Sequence, residues 1–226
     1  MLDGRWRSKV ERALDPVGRA LHKIGVSADV LTVIGLLAAV ATAGLIANGN
    51  LALAVVGVLF SGLPDLLDGS VARHSGTAGA RGAFLDSVCD RVADAVLLAG
   101  VAWHVTDEGA GAPVLVLGVV ALSMLVSYER AKAEALGFSA RGGLIERAER
   151  LVLLGVGLAF DILIPVLWIM LALTAVTAIH RFAMVWRQAS PTQRDTVSGR
   201  MRTRFVRSHR ARRSRPRRVS RVSRWR

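Results

Sequence analysis

Apolar residues dominate the chain from about residue 30 to residue 187, and short polar interruptions cut this run into six candidate spans. They cover about 30–48, 51–73, 82–105, 113–136, 146–161 and 163–187. Ahead of them, Trp6, Val10, Leu14, Val17, Leu21 and Ile24 share one helical face. Arg7, Lys9, Arg12, Arg19 and Lys23 lie largely elsewhere, a pattern that predicts a helix lying in the membrane interface. A long cationic segment before the first apolar run, with no cleavage-site pattern after that run, argues against a signal peptide.

The connections fix an orientation. The turns Asn48–Asn50 and Thr106–Ala112 and the single Asp161 contain no Lys or Arg, whereas every basic connection falls on the other side. The positive-inside rule then places both termini and the loops near 74–81 and 137–145 on the cytoplasmic side. The expected fold is an all-α integral membrane protein of six transmembrane helices preceded by an amphipathic juxtamembrane helix. Residues 1–29 form the interfacial part, 30–187 the transmembrane domain and 188–226 an Arg-rich cytoplasmic tail.

Composition agrees, since 52% of the 226 residues are hydrophobic, too many for an ordinary soluble domain. The net charge of +13 is local: Ser198–Arg226 holds thirteen Arg and no acid, so the remainder is about neutral. Lacking apolar periodicity, this tail is expected to be disordered in isolation and to bind anionic lipid at the membrane surface. Nucleic acid is not the expected partner, because Phe205 and Trp225 are the only aromatics there for base stacking. The one cysteine, Cys89, can form no internal disulfide and is expected to pack rather than react.

Chemistry concentrates in residues 65–90, DLLDGSVARHSGTAGARGAFLDSVCD. Each charge inside a bilayer costs about 2.5 to 3.5 kcal/mol even on lenient insertion scales, so four carboxylates need compensation. Asp65 and Asp68, at i and i+3, share a helix face, and so do Asp86 and Asp90, at i and i+4. Two such faces brought together form an oxygen-only cup suited to Mg2+ or Mn2+, with no Cys/His cluster to suggest zinc. Gly69 and Gly82 beside it permit close approach of backbone and ligand. Salt bridges to Arg73, Arg81 and Arg91 are the structural alternative. Both acid pairs fall at the cytoplasmic end of their spans, where an enzyme fits better than a transporter with a midplane ion site.

Further polar residues gather at that end: Ser127, Arg130 and Lys132, then Arg147 and Arg150, then Arg181. They either snorkel to headgroups or form an anion site with guanidinium forks matched to phosphate. Asp94, one turn beyond Asp90, is expected to be the structural partner of an Arg.

The motif D-x2-D-G-x2-A-R-x8-G-x3-D-x3-D is identified as the signature of the CDP-alcohol phosphatidyltransferase family. Within that family, SYERAKAEALG and GGLIERAERL resemble the actinobacterial phosphatidylinositol phosphate synthases, a likeness running from Ser27–Gly35 through His180–Trp186. The resemblance implies that CDP-diacylglycerol and inositol 1-phosphate are the substrates and that the enzyme is a homodimer with two Mg2+ or Mn2+ ions per site. It places cytidine-diphosphate contacts on Asp29, Val30, Leu31, Thr32, Gly69 and Arg73, metal ligands on Asp65, Asp68, Asp86 and Asp90, and the catalytic base on Asp90. Acceptor-phosphate contacts fall on Ser127, Arg130, Arg147, Arg150 and Arg181, with Lys132 nearby.

Two departures stand out. Arg130 and Lys132 occupy positions where Lys then Arg is expected, and Gly79 stands where the subgroup often has Thr, with Thr77 as a substitute contact. Glycerol 3-phosphate is the competing acceptor. A divalent-cation transporter and a lipid-tethered RNA-binding protein are the readings outside enzyme chemistry.

Overall fold

The computed structural model describes residues 26–75, 79–140 and 142–190; over 64–75 only the helical backbone is described. The helix expected over Trp6–Ile24, Thr77 and the tail Ser198–Arg226 lie outside the described residues. The described part is helical: α1 (Ala28–Ala47), α2 (Leu51–Ser75), α3 (Ala80–His104), α4 (Gly111–Ala135), α5 (Arg147–Ala159) and α6 (Leu163–Ala189), with a 3-10 turn at Val105–Glu108. The chain divides into a compact unit ending at Phe182 and a second beginning at Ala183, and the packing below belongs to the first.

Local chemistry sets the ends of these helices. Ser27 caps α1, its hydroxyl accepting from the Val30 amide at 3.3 Å. Gly49, at φ +75, supplies the left-handed residue that turns the chain into α2. Asp161 takes the same region at φ 53 between α5 and α6, a conformation that a short polar side chain tolerates better than a branched one. At α5, Glu146 and Glu149 form a reciprocal capping box, with the Glu146 amide donating to Glu149 Oε2 at 3.0 Å.

Three helices, α1, α4 and α6, are long and apolar enough to cross a membrane. The other three differ for physical reasons. Helix α2 is apolar only over Leu51–Leu63 before it reaches the acid motif, α3 carries Asp86, Asp90, Arg91 and Asp94, and α5 has 13 residues. At 1.5 Å per residue α5 is about 20 Å long, short of a hydrocarbon core of about 30 Å.

Helix α1 packs on both α2 and α3, α2 on α5, and α3 on α4. Ile46, Leu97, Val101, Val116, Leu158, Leu167 and Met170 fill the core. Outward-facing positions are equally apolar: Leu37, Leu59, Phe60, Leu117, Trp168 and Ile179 are all exposed. An apolar exterior over an apolar core is what a lipid solvent permits. Two buried threonines satisfy their hydroxyls within their own helices, Thr42 donating to the Ala38 carbonyl at 2.7 Å and Thr174 to that of Met170 at 2.6 Å.

The α1–α3 approach depends on a missing side chain. A Cβ on Gly100 would lie 2.5 Å from the Ala43 carbonyl oxygen and 2.8 Å from its Cα, backbone atoms that cannot swing aside. Gly100→Ala should therefore push α1 from α3 and destabilise the protein by about 1–3 kcal/mol. Gly155→Ala, with nothing within 4 Å of the new methyl, should be neutral or slightly stabilising. Thermal unfolding of the two variants in detergent checks the contrast, and equal midpoints would contradict it.

Candidate active site

Four helices meet around a small pocket. It is lined by Thr32, Gly35 and Leu36 of α1, Ser61 of α2, Asp86, Cys89, Asp90 and Ala93 of α3, and Arg147 of α5. Thr32 and Ser61 are buried with their hydroxyls bonded to the carbonyls of Ala28 and Val58, at 3.1 and 2.8 Å. Asp86 and Asp90, one turn apart on α3, present two carboxylates to this space, as their spacing predicts. Cys89, between them in the chain, is buried and free.

Asp29, at the start of α1, sits against the same helix. Its Oδ1 is 3.3 Å from the position a Cβ would take on Gly82, so any larger residue there would crowd the carboxylate. Of the other expected nucleotide contacts, Leu31 is buried, Val30 is exposed, and Gly79 caps α3 with extended backbone and no side-chain bond. Asp65, Asp68, Gly69 and Arg73 lie on α2 beyond Leu63, within the stretch described by its backbone alone. Among the described residues no three potential ligands cluster. The described donors nevertheless suit a hard divalent cation, being two carboxylates on one pocket with no imidazole in its lining.

Arg147 ties the pocket together. Its Nη1 donates to Asp90 Oδ1 at 2.7 Å and its Nε to Asp94 Oδ1 at 2.9 Å. Arg150, one turn on, donates from Nη2 to Asp94 Oδ2 at 2.8 Å. Asp94 thus divides its two oxygens between two guanidiniums, so the expected pairing with an Arg is present twice. Both Asp94 and Arg150 are buried, which makes this network the charged centre of the unit.

Arg181 is buried as well, but carbonyls hold it: Nε donates to Gly142 O at 2.9 Å and Nη1 to Val126 O at 3.0 Å. Its Nη2 lies 3.7 Å from Glu146 Oε1, and Arg130, Arg150 and Glu129 are also within Coulombic reach. Ser127 is half-buried. Arg130 and Lys132 are exposed and do not line the pocket, and Arg130 Nε donates to Glu134 Oε1 at 3.2 Å one turn along α4.

Several contributors were not anticipated from the sequence. Ser61 lines the pocket from α2, Glu129 Oε2 is buried with no hydrogen-bond partner among the described residues, and Thr177 holds the loop before α5. Glu129 carried one available signal, an acid on the face of α4 that also carries Val126.

Comparison with known proteins gives the family. The family model described as CDP-alcohol phosphatidyltransferase matches residues 26–189. A phosphatidylinositol phosphate synthase of Mycobacterium tuberculosis is 32% identical over 212 residues, covering 85% of this chain and 94% of the relative. An archaetidylinositol phosphate synthase of Methanothermobacter thermautotrophicus is 33% identical over 192 residues, 84% of this chain and 94% of the relative. A crystal structure of the M. tuberculosis synthase with CDP-DAG bound superposes with a TM-score of 0.72 at 33% identity, covering 80% of this chain and 96% of that one. A second, in complex with manganese and citrate, gives 0.71 at 33% identity over 78% and 89%.

Removing one member of the buried network should be costly. Asp94→Ala leaves two guanidiniums without their shared carboxylate and should destabilise by about 3–5 kcal/mol. Arg150→Met should cost much less in the Asp94→Ala background than alone, because its partner is already gone. Unfolding midpoints of the two single variants and the double variant check this, and additive effects would show the pairs to be uncoupled.

Proposed function

This chain belongs to the CDP-alcohol phosphatidyltransferase family, and on that premise we propose that it transfers the phosphatidyl group of CDP-diacylglycerol to inositol 1-phosphate, giving phosphatidylinositol phosphate and CMP. The observation that carries the chemistry is the arrangement of Asp86 and Asp90 on one pocket, with Arg147 joining Asp90 to Asp94. The M. tuberculosis and archaeal relatives, named phosphatidylinositol phosphate synthase and archaetidylinositol phosphate synthase, support the choice of acceptor.

In this reading Asp90 accepts the proton of the acceptor hydroxyl as that oxygen attacks the β-phosphorus of the donor. A new P–O bond forms to the phosphatidyl group, the diphosphate P–O bond breaks, and its electron pair leaves with CMP. Asp65, Asp68, Asp86 and Asp90 hold divalent metal, Mg2+ or Mn2+ and two ions per site, which supplies charge neutralisation at the diphosphate. Asp29 to Thr32, Gly69, Arg73, Thr77 and Gly79 receive the nucleotide. Arg147, Arg150 and Arg181, with Ser127, Arg130 and Lys132 at the rim, attract the acceptor phosphate. Catalysis then consists mainly of positioning and electrostatics.

The same reading places six helices across the bacterial inner membrane, with both termini and the site on the cytoplasmic side and an interfacial helix in front. The Arg-rich tail lies on anionic lipid. The working form is a homodimer.

Asp90→Asn should abolish CMP release while leaving CDP-diacylglycerol binding detectable. Asp68→Ala and metal chelation should abolish both. Wild-type protein given CDP-diacylglycerol, Mg2+ or Mn2+ and one acceptor at a time should release CMP fastest with inositol 1-phosphate and poorly with free inositol. Faster release with glycerol 3-phosphate would overturn the acceptor, and substantial turnover by Asp90→Asn would remove that residue from the mechanism.

A further inference from the structure

The loop that leads into α5 passes through Gly142 at φ +102 and Gly143 at φ +156, two residues with no side chain to anchor it, before the capping box at Glu146. Helix α6 grips it there. Thr177 Oγ1 accepts from the Leu144 amide at 3.2 Å and the Ile145 amide at 3.3 Å, and donates to the Leu173 carbonyl at 2.8 Å. One donor and two acceptor lone pairs complete the capacity of a hydroxyl, and Thr177 is fully buried. One turn further, Arg181 takes the Gly142 carbonyl, so positions i and i+4 of one helix face hold neighbouring residues of the loop.

The fit is tight enough to exclude a side chain. A Cβ on Gly143 would lie 2.5 Å from Thr177 Cγ2. The threonine methyl therefore sets how near the loop can come, while its hydroxyl sets which amides face it. Immediately beyond the loop, Arg147 and Arg150 project from the first turn of α5 toward Asp90 and Asp94.

We infer that Thr177 is a positioning residue for the acceptor side of the reaction: by fixing residues 143–145 it sets the register in which α5 presents Arg147 and Arg150. The inference rests on the reading that these guanidiniums receive the acceptor phosphate. It assigns Thr177 no contact with substrate. Its effect falls mainly on the acceptor, because the loop is held by Thr177 and Arg181 of α6, whereas Asp29 and Thr32 belong to α1 and Asp86 to α3.

Thr177→Val keeps the shape and removes the hydroxyl, leaving two amides without their acceptor. Displacements of about 1 Å at a reacting centre can cost about a hundredfold, so KM for inositol 1-phosphate should rise about tenfold or more. KM for CDP-diacylglycerol should change less than about twofold, and Thr177→Ser, which retains the hydroxyl, should restore the acceptor KM. Equal change in both KM values, or no restoration by serine, overturns the inference.

A second pair holds the test open if the valine variant does not fold. Gly143→Ala should raise the acceptor KM, and adding Thr177→Ser should lower it part of the way back, since serine lacks the methyl that the new Cβ meets while the backbone strain at φ +156 stays. A double variant no better than Gly143→Ala alone also overturns the inference. If the wild type prefers another phosphorylated alcohol, the assigned acceptor fails, and the same comparison run with the preferred alcohol still decides the role of Thr177.

Discussion

A carboxylate in an apolar surround must be given a counter-charge, and in this protein that requirement organises everything near the site. Asp94 lies beside Leu97, Leu98, Leu154 and Met170, where an unpaired carboxylate would be costly, and Arg147 and Arg150 give it two partners. Because both arginines belong to the first turn of α5, satisfying Asp94 also ties the start of that helix to α3. The same guanidinium that satisfies Asp94 reaches Asp90, so a structural ion pair and the carboxylate proposed as base share one side chain. Perturbing either moves the other.

That coupling explains the division of labour among the helices. Helices α1, α4 and α6 contain the long uninterrupted apolar windows that suit a lipid surround. The acids of α3, the acid motif of α2 and the arginines of α5 are carried by the helices that are less apolar or too short, because charge and lipid exposure are incompatible on one surface. Small residues let the scaffold close around them. Gly100 admits the backbone of α1 and Gly57 admits Thr42, so α1 can lie against α2 and α3 at once and bring Thr32 and Ser61 to the pocket.

Much of this is written in one-dimensional pattern. Each expected span has a helix within about three residues of its limits, since loss of hydropathy coincides with residues that stop helices, such as Gly49 and Gly109. The i, i+4 spacing of Asp86 and Asp90 was sufficient to place both on one pocket. The engagements of Arg150 and Arg181 were not legible, because they depend on contacts 39 to 56 residues apart in the chain. A count of arginines near one membrane face shows that cations gather there, but not that Asp94 takes Arg150 or that backbone carbonyls take Arg181. Thr177 gave even less signal, since a threonine in an apolar helix reads as a self-bonded hydroxyl until the loop it serves is seen.

The bonds made by the buried arginines do not conflict with a role in recognising phosphate. A guanidinium carries five N–H donors in a rigid plane, and the two carbonyls bonded to Arg181 fix that plane with Nε and Nη1 alone. Its Nη2 is turned toward Glu146 at 3.7 Å, beyond hydrogen-bond length, and the Glu146 side chain is half exposed. On the proposed reading, an arriving dianion would displace a loosely held carboxylate and leave the tight backbone bonds intact. Holding the fork in place beforehand lowers the entropy lost on binding, which is the usual advantage of arginine over lysine where geometry matters. Carbonyls that look like competitors for the charge thus aim it, and they belong to the segment leading into α5 and to the body of α4, so Arg181 joins both to α6.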